Sequence, residues 1–249
     1  MSVREQKTQL TEQFCRNGKV EFEVSGQSAL FADPITSAGG EKTTYSVPTY
    51  EALKGVTKRI YWKPTFIWVI DRVRVMNPIR TEAMGTKLPR LDGDGQDLAN
   101  YTYLLDVRYQ VEAHLIWNMN RPEYEQDRSI QKHYGCFARA LLKGGRLPVF
   151  LGKSECCAWV RPCSFGEGTG AYDHSGTLNF GYMYHGITYP DEAYSPETKG
   201  KLTLDIAPVL MQDGIIRYPE PGECRNKPIR SGEMKNFETR GDGDHASAS

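Results

Sequence analysis

The chain has 249 residues, 39% of them hydrophobic and 25% charged, a composition that fits an ordinary soluble protein with a substantial buried core. No stretch approaches the roughly 20 consecutive apolar residues of a membrane helix, and the polar N-terminus lacks the apolar centre of a secretory signal. We therefore expect a cytoplasmic protein without membrane association, whose six cysteines are reduced thiols.

The first half of the chain has hydrophobic patterns typical of three strands and one helix. Alternation of apolar and polar residues, or enrichment in β-branched and aromatic residues, predicts strands at residues 19–24, 65–76 and 105–117. Thr49 is predicted to cap the N-terminus of a helix that ends before Pro64. Residues 25–48 form a long predicted connection, and residues 77–96 are predicted to be a loop or an irregular hairpin.

A second helix is predicted at residues 127–143, where apolar side chains recur at helical spacing and Gly144-Gly145 ends the segment. On a helical wheel, His133 lies at the border of the apolar stripe, where a partly buried side chain still reaches a ligand. Lys132 points away from that stripe. Two further strands are predicted at residues 147–151 and 156–160.

The predicted order over residues 19–160 is β-α-β-β-α-β, which indicates an α+β protein with a ferredoxin-like domain. RNA-recognition modules share this arrangement, although a fold alone implies no function. Residues 161–230 are predicted to be a smaller β-rich domain with a hairpin turn at Asp213-Gly214. Residues 1–18 are expected to be a flexible extension, and residues 231–249 a disordered tail.

Charge is segregated along the chain, although the formal net charge is zero. Residues 54–80 hold seven basic residues and one acid, and residues 128–161 again hold seven basic residues and one acid. Two segments of net charge +6 can form a polyanion groove inside a neutral protein. The alternative is two solvated faces without a ligand. By charge and position we expect RNA-binding side chains at Lys58, Arg59, Lys63, Arg139, Lys143 and Arg146.

Lys132 and His133 form a pair suited to phosphate chemistry. A histidine with a pKa of about 6.5 can move protons, while a lysine keeps its positive charge against a developing phosphorane. Metal-free RNA cleavage needs such groups, and a phenol such as Tyr61 can position the 2′-hydroxyl or share in proton transfer. Each residue also has a structural explanation: a core histidine, a solvated lysine and a core tyrosine.

Other classes of chemistry lack their motifs. There is no G-x-S-x-G elbow, and no carboxylate cluster has metal-ligand spacing, so we expect no metal or other cofactor. A zinc site built from Cys156, Cys157 and Cys163 would lack the usual C-x-x-C pair.

Several runs of residues resemble one known family over about residues 20–236. These runs are GGEK at 39–42, YSVPTYEALKG at 45–55, IYWKPT at 60–65, VID at 69–71, RVM at 74–76, YTY at 101–103, KHY at 132–134 and FLG at 150–152. They resemble the type I-C CRISPR RAMP proteins, the d-type branch of the Cas-five family.

The resemblance implies a metal-independent endoribonuclease that cuts precursor CRISPR RNA at the 3′ base of the repeat hairpin. It further implies that the protein stays bound to the 5′ handle of the mature RNA inside the type I-C complex, with the backbone and large subunits as partners. The family's catalytic residues match Tyr61, Lys132 and His133, and its glycine-rich RNA-binding turn corresponds to Gly144-Gly145-Arg146. Some members bind or cut DNA, so double-stranded DNA is a further implied partner. The alternative is a non-catalytic subunit that only binds the handle.

Overall fold

A computed structural model of the chain describes residues 2–33, 36–39, 41–90, 93 and 95–232. The helices and strands in these ranges are α1 (Val3–Asn17), β1 (Val20–Ala29), β2 (Lys42–Thr43), α2 (Tyr50–Ile60), β3 (Phe66–Val75), β4 (Thr81–Pro89), β5 (Gln96–Trp117), α3 (Ile130–Leu141), β6 (Val149–Phe150), β7 (Cys157–Pro162), β8 (Thr177–Thr188), β9 (Lys201–Gln212), β10 (Ile215–Arg217) and β11 (Arg225–Ser231). Among the residues that the structure describes, no helix has the length and apolar character of a membrane span.

The centre of the fold is the antiparallel strand order β3-β5-β1-β7, which is the ferredoxin-like order. Register is set by buried apolar residues: Val111 of β5 lies opposite both Phe22 of β1 and Val73 of β3. On one face of this sheet, the ring centre of Phe137 from α3 lies 6.0 Å from that of Phe22 and 5.0 Å from that of Trp68. The predicted fold class is confirmed.

The N-terminal residues form a helix, where the sequence analysis expected a flexible extension. Helix α1 begins with a capping box between Ser2 and Glu5 and packs along α3. Phe14 is fully buried, with its ring centre 6.3 Å from that of Tyr134 and 6.1 Å from that of Phe137. Leu10 and Cys15 are partly buried against the same core, so three side chains of an otherwise polar segment dock this helix.

Strands β4 and β5 form a regular antiparallel hairpin across the segment predicted as a loop or irregular hairpin. Strand β5 is 22 residues long, and its N-terminal half extends beyond the ferredoxin-like core to pair with β4. The side chains of β4 are mostly exposed, so this segment lacks the apolar alternation that would have predicted a strand.

The C-terminal strands continue the same sheet, because β10 pairs with both β3 and β9. The predicted hairpin turn is confirmed: Asp213 and Gly214 have φ values of 47° and 79°, as a tight two-residue turn requires. The division into domains at residues 19–160 and 161–230 stays a prediction. Ser231 is the last residue of β11, and residues 233–249 of the predicted tail lie outside the described residues.

A buried ion-pair cluster joins α2 to the C-terminal part. The Glu192 carboxylate accepts from Lys54 Nζ at 2.5 Å and from Lys58 Nζ at 2.9 Å. Burial alone would raise the pKa of Glu192, but the two ammonium groups outweigh burial and lower the pKa to about 2. The cluster fixes the position of α2, and therefore of the residue that follows α2 in the chain, Tyr61.

Replacing Glu192→Gln is expected to lower the free energy of unfolding by about 3–5 kcal/mol, because the Lys54 ammonium would stay buried without its counter-ion. Denaturant unfolding measures this change. The matched control is Glu197→Gln in the following exposed segment, where we expect a change within about 0.5 kcal/mol. Equal unfolding free energies for both variants would contradict the structural role of this cluster.

Candidate active site

Tyr61 and His133 are positioned by the ends of two helices. Tyr61 is the residue at which α2 ends: its backbone N–H donates to Thr57, and its carbonyl accepts from Trp68 Nε1 at 2.7 Å. Helix α3 begins after Ser129, whose hydroxyl accepts from the backbone N–H of Lys132. His133 therefore lies in the first turn of α3, facing the end of α2.

The two side chains form a directed chain of hydrogen bonds. His133 Nε2 lies 2.8 Å from the backbone carbonyl oxygen of Asp127, and because a carbonyl only accepts, Nε2 carries the proton. In the neutral ring the other nitrogen, Nδ1, is then an acceptor. Tyr61 Oη lies 2.9 Å from Nδ1 and donates its proton to it. Donation therefore runs from Tyr61 through His133 to Asp127.

The His133 ring is fully buried, whereas the sequence predicted a partly buried side chain at the border of the apolar stripe. The ring of Phe66 lies 4.9 Å from the imidazole centre, and that of Trp117 lies 5.8 Å away. Burial lowers the pKa of His133 below its ordinary value, and the nearby carbonyl and carboxylate of Asp127 only partly offset that effect. The ring is therefore neutral at physiological pH.

Asp127 joins the other members of the site and was not identified from the sequence. Its carboxylate is paired with Lys132 Nζ, accepts from Thr65 Oγ1 at 2.8 Å, and lies 3.6 Å from His133 Nε2. Burial acts to raise the pKa of Asp127, but hydrogen bonds from Lys132 and Thr65 outweigh it and lower the pKa. The only sequence signal was an acidic residue directly before a basic segment.

The phenol of Tyr61 lies in the wall of an open groove of about 500 Å³. Five of the nine residues that line this groove are basic and none is acidic; the nine are Tyr61, Lys63, Lys132, Cys136, Arg139, Ala140, Lys143, Gly145 and Arg146. The Arg146 guanidinium lies 5.5 Å from the centre of the Tyr61 ring. Burial and the neighbouring Cys136 and Asp127 raise the pKa of Tyr61 well above its ordinary value, against the opposing effect of Arg146.

The structure places seven of the eleven predicted site residues in the lining of this groove and four outside it, among them His133, which is buried behind it. Lys58 is paired with Glu192, Arg59 donates to the carbonyl of Pro148 at 3.1 Å, and Gly144 lies beside the groove at the end of α3. Gly144 and Gly145 have φ values of 81° and 108°, a conformation that favours glycine. Cys136 lines the groove and was not predicted.

Metal ligands are not clustered in the part of the chain that the structure describes. Among the described residues, no three His, Cys, Asp or Glu side chains are arranged so that they could hold a metal ion, and this includes Cys156, Cys157 and Cys163.

Two relatives of known sequence carry the same name, CRISPR pre-crRNA endoribonuclease Cas5d. The chain is 30% identical over 149 residues to the CRISPR pre-crRNA endoribonuclease Cas5d of Mannheimia succiniciproducens, a match that covers 51% of this chain and 64% of that protein, less than two thirds of its length. It is 27% identical over 229 residues to the CRISPR pre-crRNA endoribonuclease Cas5d of Thermus thermophilus, covering 88% of this chain and 83% of that one.

Two solved structures have a similar fold. A functionally uncharacterised protein of Streptococcus mutans matches with a TM-score of 0.68 and 36% identity, and a CRISPR-associated protein matches with a TM-score of 0.65 and 30% identity. Each match covers 83% of this chain and 94% of the other. The family model Cas_Cas5d, described as CRISPR-associated protein (Cas_Cas5), matches residues 20–219, which is most of the chain. The chain therefore belongs to the Cas5d branch of the CRISPR-associated Cas5 family.

Proposed function

We propose that this chain is a metal-independent endoribonuclease that cleaves precursor CRISPR RNA at the 3′ base of the repeat hairpin. The observation that carries the proposal is the hydrogen-bond chain from Tyr61 through His133 to Asp127, which begins at the wall of a basic groove. Two relatives named as pre-crRNA endoribonucleases support the same activity here. After cleavage the chain stays bound to the 5′ handle as a subunit of the type I-C interference complex.

The reaction is a transesterification in which the phosphoryl group is transferred from the 5′-oxygen to the 2′-oxygen. The 2′-oxygen attacks phosphorus, the bond from phosphorus to the 5′-oxygen breaks, and the products carry a 2′,3′-cyclic phosphate and a 5′-hydroxyl. The 2′-hydroxyl proton passes to Tyr61 Oη as the phenol proton moves to His133 Nδ1. The leaving 5′-oxygen takes a proton from water in the open groove. The hydroxide left behind is neutralised when His133 returns its extra proton through Tyr61 to the solvent, so that protons balance and the neutral ring is restored.

The order of proton transfer follows from which group faces the groove. Tyr61 is only 2% exposed but lines the groove, whereas His133 is fully buried and does not line it, so His133 acts on the RNA through Tyr61. Proton transfer to the buried imidazole creates a cation. The Asp127 carbonyl at 2.8 Å and carboxylate at 3.6 Å stabilise that cation as it forms. We therefore assign Tyr61 as the group that touches the 2′-hydroxyl and His133 as its proton acceptor.

Positive charge in the groove stabilises the pentavalent phosphorus. Lys132 is more than half exposed, and Arg146 lies against the Tyr61 ring, so both reach the non-bridging oxygens of a phosphate held near the phenol. Asp127 pairs with Lys132 in the free protein and keeps its ammonium beside the site.

The main alternative is a subunit that binds processed RNA without turnover. Replacing the 2′-hydroxyl at the scissile nucleotide with hydrogen separates the two functions, because only an enzyme that uses that hydroxyl loses a reaction. Handle binding would persist in both cases.

His133→Ala is expected to slow cleavage of a repeat-hairpin RNA in EDTA by about 10²–10⁴-fold, because Tyr61 loses its proton acceptor. Single-turnover gel assays measure the rate constant. The matched control is His114→Ala, which removes a histidine paired with Asp71 and should cleave at the wild-type rate. Cleavage at the wild-type rate by His133→Ala would contradict the assignment.

Removal of a groove cation is expected to change the salt dependence of RNA affinity. For Arg146→Gln, we expect the log-log slope to flatten by about one unit, since one phosphate contact is lost. Lys58→Gln is the control, because Lys58 is paired with Glu192 outside the groove and should leave the slope unchanged. Equal slopes for Arg146→Gln and wild type would place the RNA elsewhere.

A further inference from the structure

A second cavity, of about 380 Å³, runs along α2 from its N-cap, Thr49, to Arg59 and is separate from the Tyr61 groove. Its walls come from α2, from the end of β1, from the segment around β6 and from β8. The lining residues that matter chemically are Thr49, Glu51, Gly55, Arg59, Phe150 and Lys153.

Gly55 lines this cavity and, having no side chain, leaves space in it. Glycine destabilises the interior of a helix relative to alanine, so a glycine there usually has a packing or functional reason. A Cβ built on Gly55 would meet no atom within 4 Å, so no neighbour in the described part of the chain requires glycine at this position. The missing side chain leaves the helix backbone accessible to a flat group entering the cavity.

Two cations line the cavity, and each lies close to an aromatic ring. The Arg59 guanidinium lies 5.1 Å from the centre of the Phe150 ring, and Lys153 Nζ lies 4.3 Å from the centre of the Tyr101 ring. Lys153 also pairs with Glu155 at 3.2 Å. This combination of cations and an aromatic face is typical of sites for single nucleotides.

Polar side chains of α2 also line the cavity. Glu51, Gly55 and Arg59 are spaced four residues apart on one face of α2, so Glu51 and Arg59 are about 12 Å apart along the helix axis. Burial raises the pKa of Glu51, which reduces the repulsion that its carboxyl exerts on an anion. The span is comparable to the length of a nucleotide from its phosphate to the edge of its base.

The cavity and the Tyr61 groove share one wall. The carbonyl of Arg59 accepts from the backbone N–H groups of Arg146 and Leu147, each at 3.2 Å, and thereby fixes the loop that separates the two sites. Arg146 lines the groove, while Arg59 lines the cavity. A single RNA strand can therefore contact both sites across this loop.

We propose that the cavity binds one unpaired nucleotide of the RNA that occupies the groove, with the phosphate at Arg59 and Lys153 and the base between Phe150 and Gly55. Glu51 and Thr49 face the edge of the base. This inference rests on the proposed function, since the same RNA occupies both sites. The cavity gives the chain a hold on the RNA that does not depend on cleavage.

The test fills the cavity with a side chain introduced at position 55. Gly55→Leu places a side chain in the open space, whereas the matched control Gly55→Ala adds only a Cβ that contacts nothing. The probe is a fluorescein-labelled single-stranded RNA of eight nucleotides in mixed sequence, titrated by anisotropy. We expect Gly55→Leu to bind about tenfold more weakly, the effect of losing one stacked base, and Gly55→Ala to bind like wild type.

Equal affinities for Gly55→Leu and Gly55→Ala, at equal melting temperatures, would overturn the inference. If Gly55→Leu does not fold, Lys153→Gln is the deciding variant. It should weaken RNA binding and flatten the log-log slope of affinity against salt concentration by about one unit. Unchanged RNA binding by Lys153→Gln would contradict the proposed nucleotide site. Cleavage of the repeat hairpin by wild type is measured in parallel. If the wild type cleaves the hairpin but the cavity variants bind RNA as the wild type does, this inference alone is rejected. If the cavity variants bind RNA more weakly but the wild type does not cleave, the proposed activity alone is rejected.

Discussion

The site depends on one buried neutral imidazole held between a phenol and a backbone carbonyl. Both ring nitrogens of His133 have partners, at 2.9 Å and 2.8 Å, and leaving either unpaired in this environment would cost about 1–3 kcal/mol. The carbonyl of Asp127 fixes the tautomer, and the tautomer in turn makes the histidine an acceptor for Tyr61. The direction of hydrogen-bond donation, from Tyr61 to His133 to Asp127, is therefore set by the position of one backbone carbonyl.

The rest of the fold keeps the two helix ends that carry this contact in place. Tyr61 and His133 are 72 residues apart in the chain and meet because α2 and α3 pack on the same face of the ferredoxin-like sheet. The ion pairs of Glu192, which belongs to the C-terminal part of the chain, hold α2 in place. The N-terminal helix α1 packs against α3. The loop after α3 is attached to the carbonyl of Arg59 and places Arg146 over the phenol.

Much of this arrangement was predictable from the sequence. Caps and apolar stripes predicted α2 and α3, the order of elements predicted the fold, and Lys132 and His133 were adjacent in a basic segment. Tyr61 was a candidate phenol by its place after the first helix, and the family resemblance then matched it to a catalytic residue. Groove residues such as Lys143 and Arg146 were found by charge and position.

Other features depend on tertiary contacts that leave no local pattern. The dominant contact of Asp127 with His133 is made by its backbone carbonyl, which any residue type carries. Lys58 has the charge of an RNA ligand but is paired with Glu192, which is 134 residues distant. Helix α1 needs the surface of α3 to be stable, and the side chains of β4 alternate too little to indicate a strand.

The most direct test of this account is nitrogen-15 NMR of the His133 ring across pH, with its signals assigned against His133→Gln among the five histidines. The account predicts a neutral ring at pH 7 with the proton on Nε2 and an unprotonated, hydrogen-bonded Nδ1. Because burial lowers the pKa of His133, the midpoint of its titration should lie below the ordinary histidine value of about 6.5. A proton on Nδ1 at neutral pH, or an imidazolium at pH 7, would contradict the proposed direction of proton transfer.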